Sequence, residues 1–411
     1  MVAHMQGAFN EPHKRRILFI ITQSELGGAQ QFLVQLLSRL DKNVYECSVI
    51  AGSDGDGGLQ AALPPDVPVY TTKNLKRGPS LIGDLKATVE LRSAIIKERP
   101  DIVFLMSSKA GFVGSLAAKL AKLSLPNLRI AYRIGGWTFN DPWPKWKKVL
   151  YRLMERVSAG WKDIIIVNSA SDLADAKKYK IQPRLAPVLI HNGIDPYREL
   201  FSHEEARVRL FDAAVKSRLA RESGVGSSLF HAKAIVGTVA NFYPAKDLFT
   251  FINAVDALPE GVVGIIIGDG PLSEKLENHI RERGLSRKVF LAGRLPDAYK
   301  YLPAFDVFAF SSSKEGFPWA VLEAMSAKIP VISTPVGAIP EIIKDGQNGV
   351  IVPVGIPSAM SSMIRNLLGD DQLRQELVIQ AHQTILAQFS IRAMVERFEN
   401  LFESLLENKD N

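Results

Sequence analysis

The 411-residue chain has little of what marks several classes of protein. Its single cysteine, Cys47, excludes an internal disulfide framework and a cysteine-rich metal site. It contains no run of about 18 uncharged apolar residues, so we expect no membrane-spanning helix. The first 16 residues are polar, whereas a secretion signal needs an apolar stretch there. These absences lead us to expect a protein that stays in the cytoplasm.

The rest of the composition is that of a globular protein. Apolar residues make up 46% and charged residues 23% of the chain, which excludes a disordered chain and a coiled-coil rod. At about 150 residues per domain, the length suggests two or three domains. Lys and Arg outnumber Asp and Glu by 50 to 43, a net charge of +7. This excess allows a phosphorylated ligand, an anionic lipid or a nucleic acid as partner, without choosing among them.

Short apolar runs alternate with helical patterns, and this rhythm occurs twice along the chain. Residues 17–21 are continuously apolar, which is typical of a strand covered on both faces in a parallel sheet. The rhythm restarts with a strand at 234–240, shortly after the Ser/Gly-rich stretch 222–228. The sequence therefore predicts an α/β protein with two Rossmann-like parallel-sheet domains.

We place the domain boundary in the segment 191–195. The first predicted domain covers residues 1–193 and the second covers residues 194–388. We expect the C-terminal helix, 389–411, to pack back on the first domain, because an apolar stripe at helical spacing is first of all a core-facing one.

The most informative segment follows a predicted strand that ends at Phe310. Glu315 and Gly316 lie in the loop after it, and Pro318 suits the first turn of the next helix. This places Glu315 at the carboxyl end of a strand, where open α/β sheets bind ligands. Glu323 lies about 8 Å along the helix from Pro318, so the two carboxylates can hold two parts of an extended ligand, such as two diols. The same spacing also fits one carboxylate at a helix N-terminus and a second on the helix surface.

The arrangement Glu315-x7-Glu323 resembles the signature of glycosyltransferase family 4, whose members are retaining enzymes of the GT-B fold. Further landmarks of that family occur in the expected order along nearly the whole chain, at Gly27–Gln30, Val167–Ser169, Asn192–Asp195, Ile267–Pro271, Val289–Gly293, Pro340–Glu341 and Asp345–Gly349. The resemblance implies GT-B architecture, in which the two Rossmann-like domains face each other across a cleft that holds the active site.

The resemblance also implies a nucleotide-diphosphate-sugar donor held mainly by the second domain. By analogy, Glu315 contacts hydroxyls of the transferred sugar, Glu323 contacts the ribose, and Lys246 neutralises the diphosphate leaving group. A fixed cation and helix N-termini can stabilise that charge without metal, so we expect no metal and no cofactor. Glu315 and Lys246 are the expected catalytic residues. The expected donor-binding residues are Gly28, Asn241, Lys246, Leu295, Glu315, Gly316, Phe317 and Glu323.

Two positions depart from the family pattern. Asn241 stands where the family usually has an arginine five residues before the lysine, which removes a full charge. Gly135 stands where many members have a histidine in the first domain, so we name no histidine as a catalytic group. Either the donor phosphate takes the acceptor proton, or another residue near this loop assists.

Residues 143–162 combine three tryptophans with six basic residues, and four apolar residues among them can share one helical face. One interpretation is a core helix with a solvated basic face. The other is contact of this segment with anionic lipid headgroups, with tryptophan at the interface. No nucleic-acid-binding module accompanies the cluster, so we expect no nucleic-acid partner.

The expected reaction moves a sugar from a nucleotide-diphosphate-sugar, UDP-sugar by family frequency, to a hydroxyl of a glycan or lipid-linked acceptor, with retention of configuration. The expected setting is bacterial surface polysaccharide biosynthesis, in the cytoplasm or at the inner face of the plasma membrane. A nucleotide-sugar epimerase or hydrolase of the same fold, and a nucleotide-sugar-binding protein without activity, are the alternatives. A dehydrogenase is disfavoured because Gly268–Gly270 lacks the third glycine of a dinucleotide fingerprint.

Overall fold

The computed structural model describes residues 14–78, 80–141, 143–216 and 231–407 of the chain. These residues form two compact units. The first comprises residues 14–167, 172–190 and 395–407, and the second comprises residues 168–171 and 191–394. The segment 168–171 thus groups with the second unit, which differs from the expected division at residue 193. The Ser/Gly-rich stretch 222–228 and the last four residues of the chain lie outside the described residues.

The first unit is built on a seven-stranded parallel sheet. Its strands are β1 Arg15–Gln23, β2 Tyr45–Asp54, β3 Val69–Thr72, β4 Ile102–Met106, β5 Arg129–Arg133, β6 Ile164–Val167 and β7 Val188–Leu189. Their order across the sheet is β3-β2-β1-β4-β5-β6-β7, the doubly wound order of a Rossmann fold. The helices are Gly28–Leu37, Gly58–Ala62, Leu81–Glu98, Ser115–Ala121, Lys145–Ala159 and most of Ala170–Lys178, with a π-helical turn at Ala110–Gly114 and a 3₁₀ turn at Thr138–Asn140.

Continuous apolar strands bury this sheet on both faces. Residues 17–21 of β1 and 102–106 of β4 are each at most 1% exposed. One face is covered by helix Leu81–Glu98 and helix Ser115–Ala121, which contribute buried alanine, leucine and isoleucine side chains to the core. The long apolar runs in the sequence are explained by this two-sided cover.

The C-terminal helix Ile391–Glu407 packs on the first unit from Val395 onward. The rings of Phe398 and Phe402 lie 5.9 and 5.8 Å from the ring of Phe104 in β4, measured between centroids. Nε of Arg129 donates to the backbone oxygen of Leu405 at 3.0 Å. The last helix therefore forms part of the first unit's core.

A buried polar cluster lies behind helix Lys145–Ala159. The side chain of Lys162 is 0% exposed, and its Nζ donates to Ser158 Oγ at 2.7 Å and lies 3.8 Å from the Glu155 carboxylate. The hydroxyl of Tyr132 in β5 donates to the same carboxylate at 3.2 Å. Burial raises the pKa of Glu155 and lowers the pKa of Lys162 to about 8. Counting Lys162 among the surface cations of residues 143–162 is therefore wrong, because its ion pair holds it inside.

The second unit repeats the architecture with six parallel strands. They are β8 Ala234–Val239, β9 Val262–Ile267, β10 Val289–Gly293, β11 Val307–Phe310, β12 Val331–Ser333 and β13 Val350–Ile351. Their order is β10-β9-β8-β11-β12-β13. The helices are His203–Val215, Leu248–Asp256, Ser273–Glu282, Trp319–Ser326, Ile339–Ile342, Pro357–Gly369 and Asp371–Gln388, with 3₁₀ turns at Pro244–Lys246 and Ala298–Ala304.

Two apolar clusters, one on each face, bury this second sheet. The prediction of two Rossmann-like parallel sheets in one chain is confirmed. None of the helices in the described ranges combines the length and the apolar character needed to cross a bilayer.

Candidate active site

Polar side chains gather at the carboxyl edge of the second sheet, where β8 and β11 are neighbours. The chain leaves these two strands in opposite directions, toward β9 and toward β12. In open α/β sheets the loops that follow two such strands form a crevice that binds ligands. The loop after β8 carries Asn241 and Lys246, and the loop after β11 carries Glu315 and Gly316. The fold therefore gathers four of the expected donor-site residues at one edge.

Lys246 and Glu315 meet between these loops. Nζ of Lys246 lies 2.5 Å from Oε1 of Glu315, which also accepts a hydrogen bond from Ser312 Oγ at 2.7 Å. The side chains of Lys246 and Glu315 are 24% and 10% exposed. Charges so withdrawn from water interact more strongly with each other, and with a ligand that replaces either partner, than charges on an open surface do.

Backbone contacts fix the two loops to each other. The N–H of Ser313 donates to the carbonyl oxygen of Ala245 at 2.8 Å. The hydroxyl of Ser311 donates to the carbonyl oxygen of Lys246 at 3.1 Å. The lysine and the glutamate are thus carried by segments that cannot shift independently, which gives the pair a fixed geometry.

A third loop, after β12, presses against the glutamate loop at Gly337. This glycine has a φ of +57°, and a Cβ added to it would lie 2.5 Å from the carbonyl oxygens of Glu315 and Gly316. The neighbouring N–H of Ala338 donates to the Gly316 oxygen at 2.9 Å. The close approach requires glycine at this position.

Phe317 differs from its neighbours because its side chain is in the core. Its ring packs against the rings of His191 and Phe389, at centroid distances of 5.6 and 5.9 Å. His191 in turn shares a hydrogen bond with the carboxylate of Glu341, 2.8 Å from its Nε2. His191 is therefore a packed residue, and only the backbone of Phe317 is left for the expected donor contact.

Glu323 lies in helix Trp319–Ser326, beside the segment that opens the second unit. Its Oε1 accepts a hydrogen bond from Nη1 of Arg198 at 3.1 Å, and the two side chains are 10% and 12% exposed. The guanidinium of Arg198 also lies over the ring of Tyr299, 4.7 Å from its centroid. Glu323 is therefore held by a stacked arginine rather than standing alone on the helix surface.

Asn241 and Leu295 lie on loops at the same carboxyl edge. Asn241 is exposed directly after β8, and Leu295 is half-buried after β10, where it packs against an apolar core cluster. Parallel strands end at one edge, so both residues lie on the same side of the sheet as Lys246 and Glu315.

Gly28 and Gly135 belong to the first unit. Gly28 is exposed at the start of helix Gly28–Leu37, which follows β1, and the N–H of Gly27 donates to Gln30 Oε1 at 3.2 Å. Gly135 follows β5 and is exposed, and a Cβ there would meet no atom within 4 Å. The position therefore has room for the histidine that many family members carry.

Three residues of this region were not predicted as part of it. Ser312 was within the informative segment, but nothing in the sequence distinguished it from Ser311 and Ser313. Arg198 follows the landmark Asn192–Asp195 by three residues, but it stands among other charged residues, so nothing in the sequence singled it out. Gly337 shows no sequence signal beyond being a glycine after a strand.

Two doubly wound sheets in one chain are the architecture of GT-B glycosyltransferases. The family model described as Glycosyltransferase Family 4 matches residues 26–198, and the model described as Glycosyl transferases group 1 matches residues 225–384. The two models together span most of the chain. The chain belongs to glycosyltransferase family 4, as its motifs indicated.

Relatives match over nearly the whole length of the chain. The chain is 25% identical over 405 residues to the UDP-Gal:alpha-D-GlcNAc-diphosphoundecaprenol alpha-1,3-galactosyltransferase of Escherichia coli, covering 96% of this chain and 98% of that protein. It is 23% identical to the capsular polysaccharide biosynthesis glycosyltransferase CapM of Staphylococcus aureus, covering 96% and 99%.

Solved structures share the fold. The crystal structure of Anabaena HepE with UDP and glucose superposes with a TM-score of 0.77 at 20% identity, covering 95% of this chain and 100% of that one. The sucrose-phosphate synthase of Thermosynechococcus elongatus gives a TM-score of 0.77 at 17% identity, covering 96% and 100%. These similarities are consistent with the two parallel sheets and extend over both units.

Proposed function

We propose that the protein transfers a sugar from a UDP-sugar to a hydroxyl of a glycan or lipid-linked acceptor, with retention at the anomeric carbon, in bacterial surface polysaccharide biosynthesis. The observation that carries the proposal is the Lys246–Glu315 pair at the crevice between β8 and β11. The Escherichia coli relative is named for a UDP-Gal donor and a diphosphoundecaprenol-linked acceptor, and HepE was crystallised with UDP. Both support a UDP-sugar donor here.

In this proposal the ion pair separates when the donor binds. The ammonium of Lys246 moves to the diphosphate, and the carboxylate of Glu315 accepts hydrogen bonds from hydroxyls of the sugar. The bond between the anomeric carbon and the phosphate oxygen breaks, and a bond to the acceptor oxygen forms on the same face. The acceptor proton passes to the departing phosphate oxygen. Lys246 stabilises the charge that develops there, so the proposed step uses no metal and no cofactor.

The ribose contact is assigned to Glu323, oriented by Arg198. The guanidinium of Arg198 donates to the Glu323 carboxylate while it stacks on Tyr299, so it holds the carboxylate in one orientation. Arg198 is thus a positioning residue for the donor site.

Titration calorimetry with UDP, GDP, ADP and NAD tests the donor class. We expect the protein to bind UDP more tightly than the other three ligands. Incubation with the corresponding UDP-sugars and an acceptor then gives a product whose anomeric configuration is determined by NMR. Nucleotide release without acceptor would favour the epimerase or hydrolase, and UDP binding without turnover of any donor would favour a binding protein.

Substitution at the ribose contact has a specific expected result. Glu323→Ala should weaken UDP binding by about 1–3 kcal/mol, because a charged hydrogen-bond acceptor to the ribose is lost. Arg198→Met should also weaken UDP binding. The double variant should bind UDP no more weakly than Glu323→Ala alone does, because both substitutions disturb the same contact.

The matched control is the 2′,3′-dideoxy analogue of UDP. Wild type should bind this analogue less tightly than UDP, whereas Glu323→Ala should bind both alike. A Glu323→Ala variant that still distinguishes the two ligands as wild type does would show that another group reads the ribose.

The membrane is the remaining proposed partner. Residues 143–162 would contact an anionic bilayer, which is where a lipid-linked acceptor is presented. The first unit would bind the acceptor, and the protein would act at the inner face of the plasma membrane.

A further inference from the structure

Helix Lys145–Ala159 has its apolar side turned to solvent. The residues Trp146, Val149, Leu150, Leu153 and Val157 fall on one stripe at helical spacing, and they are 68%, 59%, 45%, 56% and 52% exposed. The opposite side carries Glu155, Ser158 and Ala159, which are buried. A helix that packs its polar side inward is not a core helix with a basic face, so that interpretation of the sequence is wrong.

A second apolar surface lies at the start of helix Leu81–Glu98. Leu81, Ile82, Leu85 and Val89 are 88%, 71%, 66% and 66% exposed. The core side of the same helix is provided by other residues, among them Leu91 and Ile95. Four large apolar side chains within nine residues are thus available to an external partner.

The two surfaces flank the same structural element, the π-helical turn Ala110–Gly114. Lys109, just before the turn, forms an ion pair with Asp84 of helix Leu81–Glu98, with 2.5 Å between Nζ and Oδ1. Phe112, within the turn, packs against Trp161, just after helix Lys145–Ala159, at a centroid distance of 5.5 Å. Neighbouring helices on one face of a sheet lie about 8–10 Å apart. Helix Ser115–Ala121 lies between the two helices, so their apolar stripes are separated by two such spacings, roughly 20 Å.

Both surfaces begin at the same edge of the first sheet. The two helices occupy the crossovers from β3 to β4 and from β5 to β6, and all strands are parallel. Each helix therefore starts near the carboxyl edge. The exposed residues 81–89 occupy the first half of their helix, and the stripe 146–157 extends along nearly all of the other. One flat partner can meet both.

The charges around the apolar residues are basic. Lys86, Lys145 and Arg156 are exposed beside the stripes, and Lys76 and Arg77 precede the first helix. The acidic residues within 81–89 and 145–159 are Asp84, paired with Lys109, and Glu155, buried with Lys162. Apolar side chains ringed by cations, with tryptophan at the margin, complement an anionic lipid surface.

We propose that residues 81–89 and the outer stripe of helix Lys145–Ala159 form one docking surface for an anionic lipid bilayer. Residues 81–89 of helix Leu81–Glu98 add a second contact with the bilayer to the one made by helix Lys145–Ala159. Contact through two separated helices limits the tilt of the first unit and orients the carboxyl edge of its sheet relative to the bilayer. The inference rests on the proposed function only in that a lipid-linked acceptor explains why the contact exists.

Vesicle co-sedimentation of the full chain tests the proposal, with phosphatidylglycerol–phosphatidylcholine vesicles and with phosphatidylcholine alone. Wild type should bind the anionic vesicles and not the neutral ones. Leu81→Ser with Leu85→Ser, and separately Trp146→Ser with Leu153→Ser, should each weaken binding about tenfold or more, because each removes two inserted apolar groups. These side chains are more than half exposed, so their replacement leaves the core intact.

The matched control is Val208→Ser with Ile379→Ser, two apolar side chains of the second unit that are 61% and 55% exposed. It should bind vesicles as wild type does. Wild-type binding by the Leu81/Leu85 variant would overturn the two-point surface, and so would wild-type protein that ignores anionic vesicles. A dimer in lipid-free solution that dissociates in this variant would show that a second copy covers the surface instead.

Calorimetry with UDP separates this inference from the proposed function. Both docking variants should bind UDP as wild type does, because their substitutions lie in the first unit's surface helices. Loss of vesicle binding with UDP binding retained supports the docking surface. Vesicle binding that needs both helices, in a protein that binds no nucleotide, would leave the docking surface standing and remove the proposed function.

Discussion

Lys246→Ala is expected to lower kcat for sugar transfer by about 10²–10³, the usual effect of removing one preorganised donor from a developing negative charge. Nζ of Lys246 lies 2.5 Å from the Glu315 carboxylate, so in the proposed donor site it is a cation already held in place before the diphosphate binds. The charge on the leaving group grows as the anomeric bond breaks, and the effect should therefore fall on kcat more than on KM. Single-turnover kinetics with the donor identified by calorimetry measures it.

The control for this prediction is Lys122→Ala. Lys122 has a similar exposure, 29%, and its Nζ lies 2.8 Å from Asp163, but that pair lies next to the start of β6, at the other edge of the first sheet. The Lys122→Ala variant should keep kcat near the wild-type value even if the substitution lowers the stability of the fold. A Lys246→Ala variant that turns over like wild type would remove the lysine from the mechanism.

The fold was predictable from the sequence. So was the placement of Glu315 and Lys246 together at one edge of the second sheet. Continuous apolar runs such as residues 17–21 are typical of strands covered on both faces, and a parallel sheet gains that cover from crossover helices on both sides. Glu315 lies in the loop that follows such a strand and precedes helix Trp319–Ser326, and this fixes its place at the carboxyl edge. Its pairing with Lys246, 69 residues earlier, follows from the adjacency of β8 and β11 in a doubly wound order.

Other contacts between side chains that are distant in sequence were not predictable. Arg198 reaches Glu323 across 125 residues, and no spacing rule connects two charges that far apart. Gly337 is needed because two backbones approach each other, which depends on loop paths that hydrophobic patterns do not encode. Periodicity also gives an apolar stripe on residues 145–159 without saying whether it faces the core or the solvent.

The orientation of helix Lys145–Ala159 has a physical cause in the polar groups behind it. Glu155 on its inner side is buried against Tyr132 and Lys162, and this buried polar cluster takes the place of an apolar contact with the sheet. The cation of Lys162 also lies over the ring of Tyr132, 4.6 Å from its centroid. Because the inner side is polar, the apolar stripe is left for an external partner.

Lys162→Met should therefore destabilise the protein by about 3–5 kcal/mol near neutral pH, because it leaves the Glu155 carboxylate buried without its cation. Burial already raises the pKa of Glu155 above its ordinary value of 4.5, and the charge of Lys162 opposes that rise. Without the lysine the pKa rises further. The folded state then takes up a proton that the unfolded state does not hold. Its stability is therefore best preserved below pH 4.5 and is lost as the pH rises through the raised pKa.

Urea unfolding at several pH values measures this dependence. The deficit of Lys162→Met relative to wild type should be small at about pH 5 and large at about pH 7, where Lys162 of the wild type is still charged, since only the ionised carboxylate is penalised. Glu155→Gln combined with Lys162→Met removes both charges and should recover most of the lost stability at the higher pH. A deficit that is equal at both pH values, or that the double variant does not relieve, would show that packing around residue 162, rather than the ion pair, orients the helix and turns its apolar stripe outward.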